Sequence, residues 1–232
     1  IVSSGHLKSP EFIPNGDRSL LLRFGDSILE SMVRRVIGLG IWVEDEEIVG
    51  VLDVVPAFAS LMIHFDPDIV EMEEVSRILA DKINFSTQID IDPGPILEIP
   101  VCYHPSVAPD LEEVARHCEM SQEEVIQRHS ASTFRVYMLG FIPGFVYLGG
   151  MDDALSCPRR ASPRVSVPKG SIGIAGNQTA IYSLESPGGW QIIGRTPISF
   201  FDLNRDPPFR AKHMQEIRFT PISMDELEAW SQ

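Results

Sequence analysis

The chain has 232 residues, of which 44% are hydrophobic, and its formal net charge is −14. This length suits one large domain or two small ones, and it is long enough to bury a substantial hydrophobic core. The acidic balance argues against duplex nucleic acid or an anionic membrane as a partner, and no apolar run approaches the roughly 20 residues of a membrane-spanning helix.

The first predicted domain covers residues 13–92, because residues 1–12 lack an initiator Met and resemble a vector-derived or disordered N-terminus. Strands are predicted at 20–24, 48–55 and 60–65. A helix beginning at Ser27, with Glu30 completing a capping box, follows the first strand, and a second helix follows the third. The order β-α-β-β-α predicts a ferredoxin-like domain with both helices on one face of the sheet, once a further strand completes it.

The second predicted domain covers residues 96–228 and follows a segment rich in Pro and Gly at 90–95. It begins with a strand at 97–103 and continues with two short helices capped by Asp110 and Ser121. From residue 132 onward, short alternating apolar runs are separated by Gly and Pro at close intervals. This pattern predicts a β-barrel or a β-sandwich.

The sequence lacks the motifs of a self-sufficient enzyme. It contains no phosphate loop, no H-E-x-x-H zinc motif and no G-x-S-x-G nucleophile elbow. Cys102, Cys118 and Cys157 are widely spaced and odd in number, so they indicate reduced thiols in the cytoplasm rather than a disulfide framework. We therefore expect no metal site and no independent hydrolase.

A basic cluster lies between residues 158 and 195, in a chain that is otherwise acidic. It predicts a specific anion site, since Arg presents a planar fork of donors to carboxylate and phosphate. The alternative is a solvated loop whose arginines pair with acids elsewhere. The same region alternates aromatic residues with rigid Pro-Gly turns, which favours a concave pocket, although these residues are also compatible with barrel corners and core filling.

Three runs resemble the KipI family, which comprises the B subunits of 5-oxoprolinase and is also called allophanate hydrolase subunit 1. They lie at residues 125–150, which include the segment FIPGFVYLGG, at 163–182 and at 186–197, which begins with SPGGW. The resemblance extends over nearly the whole chain after residue 12. One departure lies at 104–108, where the run HPSVA replaces a segment in which family members carry an acidic residue.

The resemblance implies an α+β protein in which the ferredoxin-like domain precedes a cyclophilin-like β-barrel. It also implies a B subunit that is inactive alone and that phosphorylates 5-oxoproline together with a KipA-type C subunit. An A subunit of the LamB/YcsF type would then open the lactam to glutamate. ATP with Mg²⁺ is expected at a site shared with the partner subunit.

The site residues are hypotheses from residue type and position. We expect Arg159, Arg164, Lys169 and Arg195 to contact anions, with Arg164 and Arg195 in catalytic roles. His129 is the candidate for proton transfer. The other candidates are polar groups that orient the substrate and aromatic rings that wall the pocket: Gln178, Thr179, Phe141, Phe145 and Tyr182.

Three alternatives stay open. A KipI-type protein inhibits a sporulation histidine kinase by binding its dimerisation helices. The chain is alternatively a subunit of a urea- or allophanate-type amidohydrolase or carboxylase, with a urea-type substrate. Prolyl isomerisation, by analogy with cyclophilin, is disfavoured because a fold does not carry a function.

Overall fold

The computed structural model describes residues 9–83 and 89–230. The chain divides into two compact units, Ile1–Ile91 and Asp92–Gln232. Helices, separate sheets and a closed barrel confirm the predicted α+β class. Residues 1–8, which form most of the segment predicted to be vector-derived or disordered, lie outside the described residues.

The first unit is a four-stranded antiparallel sheet with two helices. Its elements are β1 (Glu11–Pro14), β2 (Ser19–Arg23), α1 (Glu30–Asp45), β3 (Val51–Pro56), β4 (Ser60–Phe65) and α2 (Met72–Lys82). The strand order is β1-β2-β4-β3. Strand β1 therefore takes the edge position that the prediction left for a strand after the second helix. Its residues Glu11 and Phe12 pair with Arg23 and Leu22, so excluding them from the fold was wrong.

Both helices of this unit pack on one face of the sheet, as predicted. The register places Leu20 opposite Ile63 and Leu22 opposite Leu61, so these four side chains point to the same side. They share one core with the buried stripes of both helices, Val36, Leu39, Val43, Val75 and Leu79. The helix spacing and the strand alternation thus bury a single apolar layer.

The predicted capping box at Ser27 is wrong. Helix α1 begins at Glu30, and Leu29 precedes it without a side-chain cap. Glu30 instead pairs with Arg34 one turn later, with 3.1 Å between carboxylate and guanidinium. An acidic residue in the first turn also interacts favourably with the helix dipole, which offsets part of the loss of a cap.

The second unit is built on a closed β-barrel, which confirms the barrel prediction. Its elements are β5 (Leu97–Cys102), α3 (Leu111–His117), α4 (Gln122–Ala131), β6 (Thr133–Leu139), β7 (Val146–Gly149), β8 (Arg164–Val167), β9 (Ser171–Ala175), β10 (Gln178–Ile181), β11 (Ser186–Gly188), β12 (Gln191–Arg195), β13 (Glu216–Ile222) and α5 (Met224–Ala229). Around the barrel the order is β10-β7-β6-β13-β5-β12-β9, and β9 pairs with β10 to close it. Strands β8 and β11 form a separate two-stranded ribbon.

The barrel strands supply two apolar layers, because alternate residues point to opposite faces. Val146, Leu148 and Ile181 belong to the inner core of the barrel. Phe145 and Tyr182, which neighbour these residues in sequence, belong to an outer cluster. Val167 of β8 is a member of that outer cluster, so the ribbon lies over the outside of the barrel.

A chain of hydrogen bonds crosses the barrel interior around His129, which is fully buried. Tyr103 Oη lies 2.8 Å from His129 Nδ1, and His129 Nε2 lies 3.0 Å from Thr179 Oγ1. The Thr179 hydroxyl donates to Gly173 O, so it accepts from Nε2–H. Nε2 therefore carries a proton, and because burial lowers the pKa of the imidazole and keeps it neutral, Nδ1 accepts from the Tyr103 hydroxyl.

Burial lowers the pKa of His129 to about 3 and that of His213 to about 4. The unfolded chain takes up each proton near the ordinary histidine pKa of about 6.5, so the unfolded state binds more protons below that pH. Folding stability therefore falls as pH drops from about 6.5, by about 1.4 kcal/mol per pH unit for each histidine.

We expect His129→Gln to reduce the slope of unfolding free energy against pH by about 1.4 kcal/mol per pH unit between pH 6 and pH 4, which corresponds to one bound proton. Urea titrations at several pH values measure this slope. His117→Gln, at an exposed position on α3, is the control and should keep the slope of the parent chain. An unchanged slope in His129→Gln would contradict the account of the buried imidazole.

Candidate functional site

A cavity of about 270 Å³ opens on the outer layer of the barrel. Its walls come from the loop after β6, the strand β7, the segment before β8 and the end of the ribbon. The lining residues are Phe141, Phe145, Tyr147, Arg159, Pro163, Tyr182, Pro187, Gly188, Gly189 and Trp190. We call this cavity the aromatic pocket.

Phe145 is the centre of the aromatic wall. Its ring centroid lies 4.9 Å from Tyr182, 5.5 Å from Phe141 and 6.3 Å from Trp190, each in an edge-to-face arrangement. Such arrangements add to the stabilisation from buried area. Phe145 and Tyr182 are each about 1% exposed, so this side of the pocket is held by the packed outer cluster.

The loop that carries Phe141 has an unusual backbone. Phe141 itself has a φ of 74°, a conformation that disfavours a large side chain, and the residue is 62% exposed. Gly144 has the same φ, and a Cβ there would lie 2.7 Å from Phe201 Cβ, so only glycine fits. A strained, exposed aromatic residue at the mouth of a pocket is typical of a binding site.

Arg159 is the only charged residue in the described lining of the aromatic pocket. Its guanidinium carbon lies 5.8 Å from the centre of the Trp190 ring, a cation–π contact. Burial raises the pKa of Tyr147, and it raises the pKa of Tyr182 to about 12, so both phenols stay neutral. The pocket therefore offers one positive charge and an aromatic wall, which suits a small anionic ligand with a flat body.

Arg164, a predicted catalytic residue, lies outside this lining and binds a buried carboxylate. Both of its terminal nitrogens lie 2.7 Å from the oxygens of Asp110. Arg160 Nη1 donates to the same carboxylate at 2.8 Å, and the N–H of Ile192 donates at 2.6 Å. We call these groups the Asp110 clamp. They correspond to the alternative in which arginines of the basic cluster pair with an acid elsewhere.

Asp110 does not act as the predicted side-chain cap of α3. It occupies the N-cap position, but its side chain makes no capping hydrogen bond because the clamp occupies its carboxylate. Ser121, by contrast, caps α4 as predicted by accepting from the N–H of Glu124.

The remaining predicted site residues are dispersed. His129 and Thr179 lie inside the barrel, so the proposed proton transfer by His129 finds no support in its position. Lys169 is exposed just before the turn at Gly170. Gln178 and Arg195 lie on β10 and β12, and each has a buried nitrogen without a hydrogen-bond partner. The pocket thus brings together four predicted residues: Phe141, Phe145, Arg159 and Tyr182.

Sequence reasoning missed Tyr147, Trp190 and Asp110 as site residues. Strand alternation contained the signal for Tyr147, because it is two residues from Phe145 and therefore points to the same outer face. Trp190 follows two glycines, of which Gly188 lets the chain approach Tyr182 closely. Asp110 carried no signal beyond its position at a helix start.

The pocket does not suit a Mg²⁺–nucleotide by itself. No carboxylate is among its described lining residues, and Mg²⁺ prefers carboxylate and phosphate oxygens. In residues 9–83 and 89–230, no group of three or more His, Cys, Asp or Glu side chains could hold a metal ion. Within the same residues, no helix has the length and apolar character needed to cross a membrane.

The close packing of the pocket can be tested at two adjacent glycines, Gly188 and Gly189. A Cβ at Gly188 would lie 2.3 Å from the Tyr182 hydroxyl, whereas one at Gly189 would lie 3.6 Å from its nearest neighbour in Pro163. We expect Gly188→Ala to destabilise the chain by about 1–3 kcal/mol through overpacking. Gly189→Ala is the matched control and should cost markedly less in urea unfolding. Equal effects would contradict the close approach.

Comparison with known proteins agrees with this architecture. The family described as "Carboxyltransferase domain, subdomain C and D" matches residues 10–211. The B subunit of 5-oxoprolinase from Bacillus subtilis is 37% identical over 94% of this chain and 95% of its own length. The urea amidolyase of Saccharomyces cerevisiae is 24% identical over 92% of this chain but only 13% of its own length.

A solved structure gives the same result. The crystal structure of TTHA0988 superposes with a TM-score of 0.80 and 35% identity. The match covers 89% of this chain and 40% of that one, so the chain spans less than half of this longer relative. The family predicted from the three sequence runs is thereby confirmed. The chain belongs to the carboxyltransferase family of subdomains C and D, which includes the B subunit of 5-oxoprolinase.

Proposed function

We propose that this chain is the B subunit of an ATP-dependent 5-oxoprolinase, and that the aromatic pocket forms its part of the substrate site. The observation that carries the proposal is the similarity to the Bacillus subtilis B subunit along nearly the full length of both chains. The chemistry of the pocket supports it. Arg159 suits the carboxylate of 5-oxoproline, and the exposed ring of Phe141 at the mouth of the pocket suits its flat lactam.

The size of the cavity favours the lactam over the nucleotide. Pockets for drug-sized ligands are roughly 300–1,000 Å³, and a cavity of about 270 Å³ is small for ATP. With one cation and no carboxylate in the described lining, it lacks the groups that would neutralise a triphosphate or hold Mg²⁺. We therefore propose that the partner subunit supplies most of the ATP and Mg²⁺ site and that the active site is shared.

The proposed reaction explains why two subunits are needed. A lactam is a poor electrophile, and phosphorylation of its amide oxygen by ATP makes the ring carbonyl carbon susceptible to attack. This chain would hold the lactam by its carboxylate and ring faces, and the KipA-type C subunit would bring the phosphoryl donor. The LamB/YcsF-type A subunit would then open the activated ring to glutamate. Neither this chain nor its KipA-type partner is expected to catalyse ATP turnover with 5-oxoproline when it is alone.

We place this activity in the cytoplasm. Cys102, Cys118 and Cys157 are all unpaired, and Cys102 and Cys157 are buried. Free thiols of this kind suit a reducing compartment, where ATP is also available.

A urea-type substrate is the second candidate, favoured by the similarity to urea amidolyase. Urea carries no carboxylate, so a site that uses it would not depend on Arg159 for charge pairing. A third candidate, inhibition of a histidine kinase, is favoured by an apolar groove of about 340 Å³ lined by Phe141, Ile142 and Phe209, where a helix could dock.

The decisive measurement is ATP turnover by this chain mixed with its cognate KipA-type partner, with and without 5-oxoproline. We expect stimulation by 5-oxoproline that Arg159→Ala reduces by roughly 10- to 100-fold in kcat/KM, because a hydrogen bond to a charged group contributes about 1.5–3 kcal/mol. Arg159→Lys should retain an intermediate value, since it keeps the charge but loses the fork.

Arg218→Ala is the matched control, because Arg218 is a partly exposed arginine that pairs with Glu98 and lies outside the pocket lining. It should leave turnover near the parent value. A stable complex without 5-oxoproline-dependent turnover would overturn the substrate. Turnover stimulated by urea and insensitive to Arg159→Ala would favour the second candidate.

A further inference from the structure

The walls of the aromatic pocket are joined to a buried carboxylate that does not line it. Asp110 lies at the start of α3, and its side chain is 4% exposed. It accepts four hydrogen bonds, from Arg160, from both terminal nitrogens of Arg164 and from the N–H of Ile192. Its own N–H donates to Ile192 O at 3.0 Å. One residue thus ties α3 to β12 and to the segment that leads into β8.

Arg159 lies directly between two anchored residues. On one side, Pro158 O accepts from Gln191 Nε2 at 3.1 Å. On the other side, Arg160 donates from its N–H to Gly189 O at 2.7 Å and from its side chain to Asp110. The side chain of Arg159 itself makes the cation–π contact with Trp190. The backbone that presents Arg159 is therefore fixed from both sides.

The same clamp reaches the opposite wall of the pocket. Arg164 begins β8, and its Cα partner in the ribbon is Gly188 of β11. Pro163, the residue before it, lines the pocket together with Gly188 and Gly189. Because Arg164 binds Asp110 through two hydrogen bonds, the position of the ribbon and the position of Arg159 depend on one carboxylate.

We propose that Asp110 is the positioning residue of the aromatic pocket: it does not line this pocket, but it sets the distance between Arg159 and the aromatic wall through Arg160 and Arg164. Arg159 is the charged contact, and Asp110 determines where that charge lies. This inference rests on the proposed function only for its kinetic test.

The first test is independent of any reaction. Trp190 is made the sole indole by Trp42→Phe and Trp230→Phe. Because Trp190 is only 5% exposed, its quenching is measured as the ratio of the iodide constant to that of neutral acrylamide, which separates charge from access. Arg159 over the ring attracts the anion, so Arg159→Ala should lower this ratio. Asp110→Asn should lower it in the same direction. Asp152→Asn is the matched control, because Asp152 also accepts from an arginine, Arg128, and from a backbone N–H but lies away from the pocket.

The second test uses turnover by the two-protein complex in a double-mutant cycle. Asp110→Asn should raise the KM for 5-oxoproline by roughly tenfold and change kcat less, since it weakens binding rather than chemistry. In an Arg159→Ala background the same substitution should have little further effect, because its action passes through Arg159. A residue that only stabilised the fold would give the same fold-change in both backgrounds.

Arg160→Gln keeps the inference testable if Asp110→Asn does not fold. It removes one arm of the clamp and leaves the paired hydrogen bonds between Arg164 and Asp110. We expect a smaller change in both tests, in the same direction. Quenching and KM that stay at parent values in a folded clamp variant, while Arg159→Ala changes both, would overturn the positioning role. Quenching that changes as expected without any 5-oxoproline turnover in the parent complex would overturn the proposed function and leave the positioning role standing.

Discussion

The alternation of side chains along the barrel strands is the constraint on which the second unit depends. The barrel strands near the site serve two apolar layers at once, so Val146 and Leu148 fill the barrel while Phe145 and Tyr147 face outward. A shift of register by one residue would exchange these sets and remove the pocket together with the core. Stability of the barrel and geometry of the site are therefore specified by the same strands.

The elements that sequence reasoning found are those with strong local signals. Strand β4 was predicted with its observed bounds, because its alternation is regular and turn residues flank it. Strand β1 was missed, because Glu11–Pro14 is short and its first two residues were excluded from the first domain. The barrel was recognised as a class of fold, but its closure depends on pairings between strands far apart in sequence, such as β5 with β13, and these leave no local signature.

The residues of the site show the same difference between local sequence signals and long-range contacts. Aromatic residues beside strands and Pro-Gly turns were predicted as pocket walls, because alternation and turns are visible in one dimension. The cationic residues were harder to assign, since several arginines of one cluster look alike in sequence and differ only in their neighbours. The difference lies in their contacts with Asp110: Arg160 and Arg164 bind its carboxylate, whereas Arg159 lies over Trp190. His129 was assigned from its residue type, but desolvation inside the barrel keeps it neutral and bound to Tyr103 and Thr179.

The parallel pair β5–β13 has a consequence for how the second unit forms. Ile217 lies opposite Leu97, and Arg218 contacts Glu98, a separation of 120 residues. Strand β13 also pairs with β6, so before it emerges from the ribosome β5 and β6 each keep one unpaired edge. Exposed strand edges promote aggregation, and long-range pairing is slow. A nascent or truncated chain that lacks Glu216–Ile222 is therefore an open sheet, and barrel closure must follow the synthesis of β13.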